Sequence, residues 1–261
     1  MAVVDRSPLP ETCAVTAAPA LWVGYGHAVY LGPSLRLDPH STAVYCLAVG
    51  VDAPLILRVD GSADVMHRSV LVPPRTRHQI VATGERMLFC YFDPGSARAG
   101  GCLERMAAAE GVFGIGHRAE AELIGLCSGP VLDAGRILDA ASGPVHGPDD
   151  ERIGGVIRTI RAQPGAPVTA AEFARDTHLS TPYFLRLFAT ETGTSFRRYR
   201  LWARMLHVAT AVSKGSDLTR AAVDAGFASP SHFSDAFHRM FGLTATTLLS
   251  GGAAIAVEGG S

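Results

Sequence analysis

The chain has 261 residues, of which 48% are hydrophobic, and a formal net charge of −1 at pH 7. This length and apolar fraction favour two folded domains and exclude a disordered chain. There is no run of about 18 apolar residues and no basic N-terminus followed by an apolar stretch, so we expect a cytoplasmic protein with no membrane partner.

Charge and cysteine content narrow the function classes only slightly. Residues 150–261 contain 12 Lys or Arg and 9 Asp or Glu, a net charge of +3 that suits phosphate contact but does not by itself indicate DNA. The five cysteines lack a Cys-x-x-Cys spacing, which argues against a disulfide framework and a zinc site. We expect buried thiols and give less weight to a thiol sensor; the cysteines are Cys13, Cys46, Cys90, Cys102 and Cys127.

The first hundred residues have the pattern of a β domain. Between residues 21 and 92, apolar runs of four to eight residues rich in β-branched and aromatic side chains alternate with turn residues. Short runs at this close spacing predict an antiparallel barrel or sandwich. We therefore assign residues 1–100 to a β-barrel.

The next segment, residues 101–149, is predicted to be a helical connector. Its stretches CLERMAAAEGVF and AELIGLCSGPVLDAGRILDAA suggest helices broken at Gly and Pro, and SGPVHGPDD has the composition of a linker. An apolar helical connector must bury its face, so we expect this region, or the barrel, to form a homodimer.

Residues 150–250 are predicted to be all-helical and contain an internal repeat. STPYFLRLFATETG at 180–193 aligns with SPSHFSDAFHRMFG at 229–242, with Ser, Phe, Phe and Gly at matching positions. Each segment begins with a serine suited to N-capping, has a proline in its first turn and ends at glycine. The pattern predicts two similar helices, each with one phenylalanine-lined face in the core.

A second helix precedes each member of the repeat. One begins at Thr169, where Thr169-x-x-Glu172 is a capping box, and the other begins at Asp217. Ala174 and Ala222 occupy matching positions where a small side chain lets two helices cross. Helix, short turn and helix is the helix-turn-helix arrangement, which presents its second helix to the major groove. We place the two units at residues 169–193 and 217–242.

One helix over residues 195–212 is predicted to join the units. Its length of roughly 27 Å would hold two recognition helices about one DNA turn, roughly 34 Å, apart. The faces opposite the phenylalanines are then free to contact bases. These base-facing candidates are Pro182, Leu185 and Arg186 in the first unit and Ser231, Ser234, Asp235 and His238 in the second.

The segments LSTPYFLRLFATETGTSFRRYRLWARM and AAVDAGFASPSHFSDAFHRMFGLT make residues 167–248 resemble the DNA-binding domain of the AraC/XylS family of bacterial transcription regulators. The resemblance implies a sequence-specific regulator, often an activator, with double-stranded DNA and RNA polymerase as partners, no cofactor and no enzymatic activity. It also implies an N-terminal domain that senses a small-molecule effector or dimerises. The chain departs from the family pattern at His178 instead of Gly, Asp235 instead of a basic residue, and Ala245 instead of Pro.

Arg186 is the strongest base-reading candidate, because a guanidinium can form a bidentate pair with guanine. The alternative for Arg186 is a solvated or phosphate-bound side chain. For the arginines of the joining helix, phosphate contacts and surface ion pairs remain equally open. The predicted phosphate contacts are Ser180, Thr181, Arg197, Arg198, Arg200, Ser229, His232 and Arg239.

VPPRTRHQI at residues 72–80 resembles the second half-motif of cupin barrels, Pro-x-Gly-x-x-His, with Arg75 in the glycine position. The predicted fold is thus a two-domain α+β chain: a cupin-like barrel, a helical connector, an all-α DNA-binding domain and a flexible tail at 251–261. Predicted effector-pocket residues are His40, Tyr45, His67 and His78. A metal-dependent cupin enzyme or metal sensor with His40, His67 and His78 as ligands is the alternative. It is disfavoured because metal-binding cupins also carry His-x-His with a following Glu on an earlier strand, and the corresponding stretch DPHSTAVYC supplies only His40.

Overall fold

The computed structural model of the chain describes residues 19–129, 133–145, 148–250, 252 and 254–257, which form eleven strands and ten helices. Cys13 and His146 lie outside these residues. The strands are Ala20–Gly24 (β1), His27–Pro33 (β2), Tyr45–Gly50 (β3), Leu55–Arg58 (β4), Val65–His67 (β5), Ser69–Val72 (β6), Gln79–Ala82 (β7), Arg86–Phe92 (β8), Met106–Glu110 (β9), Phe113–His117 (β10) and Ala254–Val257 (β11). The helices are Ala97–Glu104 (α1), Glu120–Cys127 (α2), Ala134–Ser142 (α3), Glu151–Ala162 (α4), Ala170–Asp176 (α5), Thr181–Thr192 (α6), Phe196–Ser213 (α7), Leu218–Asp224 (α8), Pro230–Phe241 (α9) and Ala245–Ser250 (α10).

The predicted two-part α+β architecture is confirmed, but the barrel does not close. Eight strands form one sheet in the order β11-β1-β2-β8-β3-β6-β10-β9, and a separate sheet has the order β5-β4-β7. The described strands of the small sheet are only three or four residues long and pair among themselves. The large sheet therefore keeps two distant edges, β11 and β9, and remains open.

Both faces of the large sheet are covered. Side chains alternate along a strand, so Leu47 and Leu88 pack on one face with α1, α2 and α3, whereas Ala48 and Phe89 pack on the other face in the same cluster as residues of α7 and α9. This double burial explains why β3 and β8 are almost continuously apolar instead of alternating apolar and polar residues.

The predicted helical connector is only partly helical. Residues of the stretch CLERMAAAEGVF form the antiparallel hairpin of β9 and β10, and β10 pairs with β6 in the large sheet. The turn contains Gly111 with φ +59°. Alanine favours helix locally, but pairing with an existing sheet outweighs that modest preference. The prediction of helix is confirmed for residues 102–104, which end α1, and is wrong for the rest of this stretch.

The tail also differs from its prediction. Residues 254–257 were expected to be flexible, yet β11 lies parallel to β1 in the register Ala20 to Ala254 and Val23 to Val257. Ile255 and Val257 are half-buried against the core that contains α7. The last described segment of the chain thus extends the sheet of the N-terminal domain.

The cysteines in the described residues are buried and free, as predicted. Burial raises the pKa of the thiols of Cys46, Cys102 and Cys127 to about 12. Because the thiolate is the reactive form, these groups are poorly suited to sensing by oxidation.

Candidate nucleic-acid interface

The first helix-turn-helix unit consists of α5, a short turn and α6. The predicted capping box is present: the Thr169 hydroxyl accepts from the Glu172 amide at 3.2 Å, and the Glu172 carboxylate accepts from the Thr169 amide at 2.7 Å. His178 in the turn has φ +56°, the left-handed conformation that glycine adopts easily. Ser180 precedes α6 as predicted, but its side chain forms no capping hydrogen bond.

The second unit, α8 and α9, has the same construction. Asp217 caps α8 by accepting from the Arg220 amide at 2.9 Å, and Ser229 caps α9 by accepting from the His232 amide at 3.1 Å. Gly242 ends α9 in the left-handed region with φ +77°, just as Gly193 ends α6 with φ +64°. The caps and stops predicted from the repeat, apart from the Ser180 side chain, are therefore confirmed.

Helix α7 joins the two units, as the sequence predicted. It has 18 residues, begins after Ser195 and spans about 27 Å at 1.5 Å per residue. Trp202 at its centre is fully buried, and further buried residues lie between Phe196 and Val208. The helix is therefore packed over most of its length and holds the two units apart.

All the predicted base-facing residues are exposed. The phenylalanines Phe184, Phe188 and Phe233 are buried on the opposite faces of α6 and α9, and Phe237 is half-buried. The exposed residues are Pro182, Leu185, Arg186, Ser231, Ser234, Asp235 and His238. Each second helix therefore presents a solvent-facing stripe that a DNA groove can accept, and the contacts themselves stay predictions.

The predicted phosphate contacts divide into two groups. Ser180, Arg197, His232 and Arg239 are exposed, and Thr181 and Ser229 are half-buried. Arg198 and Arg200 instead have partners within the protein. Arg198 donates from Nε to the Asp93 carboxylate at 2.7 Å, and Arg200 donates to the backbone carbonyl oxygens of Ala166 and Val168. Both side chains are half-buried and donate to internal acceptors, so they are weaker phosphate candidates than the exposed Arg197, and the phosphate contacts themselves stay predictions.

Asp93 joins the N-terminal domain to α7, and the sequence analysis missed it. Its side chain has no exposed surface. Besides Arg198, the carboxylate accepts from the Thr194 hydroxyl at 2.7 Å and from Trp202 Nε1 at 2.8 Å. The only signal in the sequence is that Asp93, a charged residue, directly follows the apolar run of β8. A carboxylate that is buried at such a position needs a positively charged or hydrogen-bonding partner.

Other contacts continue this domain junction. The Ala43 amide donates to the Arg239 carbonyl at 2.8 Å, and the Tyr25 ring stacks on Tyr199 with centroids 5.6 Å apart. Gly242 lies so close to His40 that an added Cβ would stand 2.0 Å from the imidazole. The N-terminal domain therefore contacts α9 as well as α7.

The structure does not bring the four predicted effector-pocket residues together. His40 and His78 form a β-bridge with ring centroids 4.7 Å apart, and burial lowers the pKa of His78 to about 4. His67 instead pairs with Glu110, with 3.2 Å between His67 Nε2 and the carboxylate. Tyr45 packs on the face of the large sheet that α1, α2 and α3 cover. Within the described ranges, no group of three or more His, Cys, Asp or Glu side chains is placed to hold a metal ion.

An apolar cavity lies where the sheet meets the second unit. It is lined by residues such as Leu21, Tyr91, Met205 and Phe241 and has a volume of about 60 Å³. Ligand pockets typically measure about 300–1,000 Å³. The cavity is therefore too small for an effector unless the junction opens.

Two helix-turn-helix units with exposed second helices on one rigid connecting helix define a DNA-binding protein. No described helix has both the length and the apolar character needed to span a membrane.

The match to a protein family agrees with this class. The helix-turn-helix domain family matches residues 173–250. ToxT from Vibrio cholerae O395 is 10% identical in sequence, with 87% of this chain and 98% of that chain covered and a TM-score of 0.49. A DNA-binding transcriptional dual regulator from Escherichia coli K-12 is 23% identical, covering 38% and 89% with a TM-score of 0.34. The C-terminal domain of AraT, a response regulator from Geobacillus stearothermophilus, is 22% identical, covering 36% and 80% with a TM-score of 0.34. No curated protein matches the chain.

The matched segment begins within α5 and ends with α10, so it contains most of the first unit, α7 and the whole second unit. This part of the chain is an AraC-type helix-turn-helix domain, and the chain is a DNA-binding transcription regulator.

Proposed function

We propose that the regulator binds one side of duplex DNA and places α6 and α9 in two successive major grooves. The observation that carries this proposal is the pair of exposed stripes on α6 and α9, held by one helix of about 27 Å. Recognition helices one DNA turn, roughly 34 Å, apart would read the same face of the duplex.

The two helices differ in what they offer to bases. Arg186 on α6 is exposed, and its guanidinium carbon lies 5.5 Å from the centroid of the Tyr183 ring. It has no carboxylate partner among the described residues, so it is available to guanine. On α9, Asp235 can accept from a cytosine amino group but also repels phosphate. We infer that α6 provides direct readout and that α9 contributes spacing and a different, weaker base preference.

Arg197 is the main phosphate candidate at the start of α7, with Ser180, Thr181, Ser229, His232 and Arg239 at the ends of α6 and α9. These side chains lie at helix ends, where phosphate contacts set orientation without reading sequence. Arg198 and Arg200 are left out of this set, because their guanidinium groups bind Asp93 and backbone carbonyls.

The finer proposals concern regulation. The chain acts as a homodimer, senses a small-molecule effector through its N-terminal domain and activates transcription through RNA polymerase. What supports effector control is the extensive junction, since a ligand that favoured another arrangement of the N-terminal domain would also move α7 and α9. Sedimentation at micromolar concentration tests the dimer.

Selection of binding sites from random DNA, with wild type and two variants, tests the DNA proposal. Arg186→Ala should relax preference at one base position and cost about 1–3 kcal/mol of discrimination there. Arg197→Ala should weaken binding to all sequences and lower the slope of log affinity against log salt by about 1, the effect of one lost phosphate contact. If Arg186→Ala changed neither affinity nor base preference, the assignment of the groove-facing stripe on α6 would be wrong.

A further inference from the structure

A wide cleft lies beside the contact between the N-terminal domain and the end of α9. One wall consists of residues 35–43 with Arg75 and Arg77, and the other consists of residues 238–239 and 242–244 with Thr247. The cleft has a volume of about 800 Å³ and is open to solvent. Both domains therefore line one site, unlike the exposed stripes of α6 and α9, which belong to the helix-turn-helix domain alone.

The charge of this cleft is strongly positive. Four arginines line it, three from the N-terminal domain and one from α9, together with His40 and His238. The arginines are Arg36, Arg75, Arg77 and Arg239. Asp38 is the acidic residue of the described lining.

Little of this charge is neutralised. Arg77 pairs with Asp60 at 3.0 Å, but both side chains are largely exposed, at 64% and 74%. Among the residues that the structure describes, Arg36, Arg75 and Arg239 have no carboxylate partner within 4.0 Å. Unpaired guanidinium groups that share one concave surface repel one another and attract an anion.

The backbone at two of these arginines is strained. Arg36 has φ +47° and Arg75 has φ +62°. Side chains with a Cβ rarely adopt this left-handed conformation, and such residues cluster at binding sites. Arg75 occupies the glycine position of the cupin-like motif, so a long cation stands in the cleft where the motif would have no side chain at all.

The cleft continues the exposed stripe of α9. His238 is the last residue of the stripe that begins at Ser231, and it also lines the cleft. The hydrogen bond from the Ala43 amide to the Arg239 carbonyl holds the N-terminal wall against the end of α9. A duplex in contact with this stripe would therefore pass the mouth of the cleft.

We propose that the cleft binds phosphate groups of the DNA backbone beside the groove entered by α9, so that the N-terminal domain contributes directly to DNA affinity. The chemistry is charge-assisted hydrogen bonding between guanidinium groups and phosphate oxygens. The inference rests on the proposed orientation of α9. It adds a phosphate-binding function for Arg36, Arg75 and Arg77, which lie outside the helix-turn-helix domain.

The test measures the affinity of the full chain for a 40-base-pair duplex carrying the selected site, at several salt concentrations. The double variant Arg36→Asn/Arg77→Gln should lower the slope of log affinity against log salt by about 1.8, close to 0.9 per lost phosphate contact. Asn suits Arg36 because it tolerates left-handed backbone. The matched control is Arg118→Gln/Arg136→Gln, which removes two exposed arginines outside the cleft and should leave the slope unchanged.

A variant with the opposite expected effect separates charge from misfolding. Asp60→Asn removes the partner of Arg77 without removing a cleft arginine. It should tighten binding at low salt and steepen the slope, a gain that partial unfolding cannot produce. The double variant and Asp60→Asn should both unfold within a few degrees of the wild-type midpoint, because the Arg77–Asp60 pair that they break is exposed.

A double variant with the wild-type slope would overturn the proposal. If wild type in that case bound inorganic pyrophosphate stoichiometrically and the double variant did not, the cleft would be a site for a free anion and not for DNA phosphate. The base preference in the selected sites tests the orientation of α9 separately. If the proposed function is wrong, the base preference will show it, and if only the cleft proposal is wrong, the salt slope of the double variant will show it.

Discussion

His78 is a buried imidazole whose protonation opposes folding. Its ring lies against His40, and Nδ1 is 2.9 Å from the Thr76 carbonyl oxygen, an acceptor for the proton of the neutral ring. Burial lowers the pKa of His78 from 6.5 to about 4, and the nearby His40 acts in the same direction. Burial also lowers the pKa of His40, with His238 and Arg77 adding to the effect.

The pKa of His78 predicts a loss of stability in acid. Between pH 6.5 and about 4 the unfolded chain binds the proton and the folded chain does not, so the free energy of unfolding falls as the pH falls. The contribution is on the order of 3 kcal/mol, fully present above pH 6.5 and fully lost below about pH 4.

Urea unfolding at several pH values measures this effect. His78→Gln should give a shallower dependence on pH over this range than wild type. His178→Asn, which changes an exposed histidine in the α5–α6 turn, should keep the wild-type dependence. Parallel curves for wild type and His78→Gln would rule out the assignment.

At the scale of elements, the turn between α6 and α7 packs directly on the N-terminal domain. Gly193 has φ +64°, and a Cβ added there would lie 2.6 Å from the backbone oxygen of Gly95. Gly95 precedes α1, so the end of α6 meets the start of α1 through two backbones with no side chains between them.

We predict that Gly193→Ala destabilises the fold more than Gly215→Ala. Both glycines have positive φ, but a Cβ at Gly215 would meet nothing within 4 Å. Gly215→Ala should therefore cost about 1–2 kcal/mol from backbone strain alone. Gly193→Ala should cost about 1–3 kcal/mol more, because the backbone at Gly95 must move. Denaturant unfolding compares the two, and equal losses would contradict the close approach.

Sequence patterns located most elements of the C-terminal domain, because caps, stops and apolar faces are local signals. The capping box at Thr169 and the stops at Gly193 and Gly242 were all predictable. The hairpin of β9 and β10 was not, since its strands are stabilised by pairing with β6, a partner distant in sequence.

At the scale of the whole molecule, the two predicted domains share a core. Apolar residues of α7 and α9 pack in one cluster with Phe89 and Tyr91 of the sheet, and β11 adds a strand to β1. Asp93 sits within this junction, with donors from Thr194, Arg198 and Trp202. The arrangement ties the position of both recognition helices to the N-terminal domain.

Asp93→Ala should therefore uncouple the domains. Removing one partner of a buried charged pair costs about 3 kcal/mol, because the remaining donors lose their acceptor. Scanning calorimetry should show one transition in wild type and a broader or split transition in the variant. The control, Asp139→Ala, breaks the more exposed pair with Arg98 and should cost less than about 1 kcal/mol. A single wild-type-like transition in Asp93→Ala would contradict the coupling.

The sequence alone determined the helix-turn-helix repeat, its caps and the exposed stripes, because helix periodicity and terminal residues act within a few positions along the chain. It also indicated a β-rich first half through its dense apolar runs. Only the tertiary structure decided that the barrel stays open, that Arg198 turns to Asp93, and that Arg36, Arg75 and Arg77 face the end of α9. These three features depend on which surfaces of the chain pack together. That packing is determined by burial and charge pairing between side chains that are far apart in sequence.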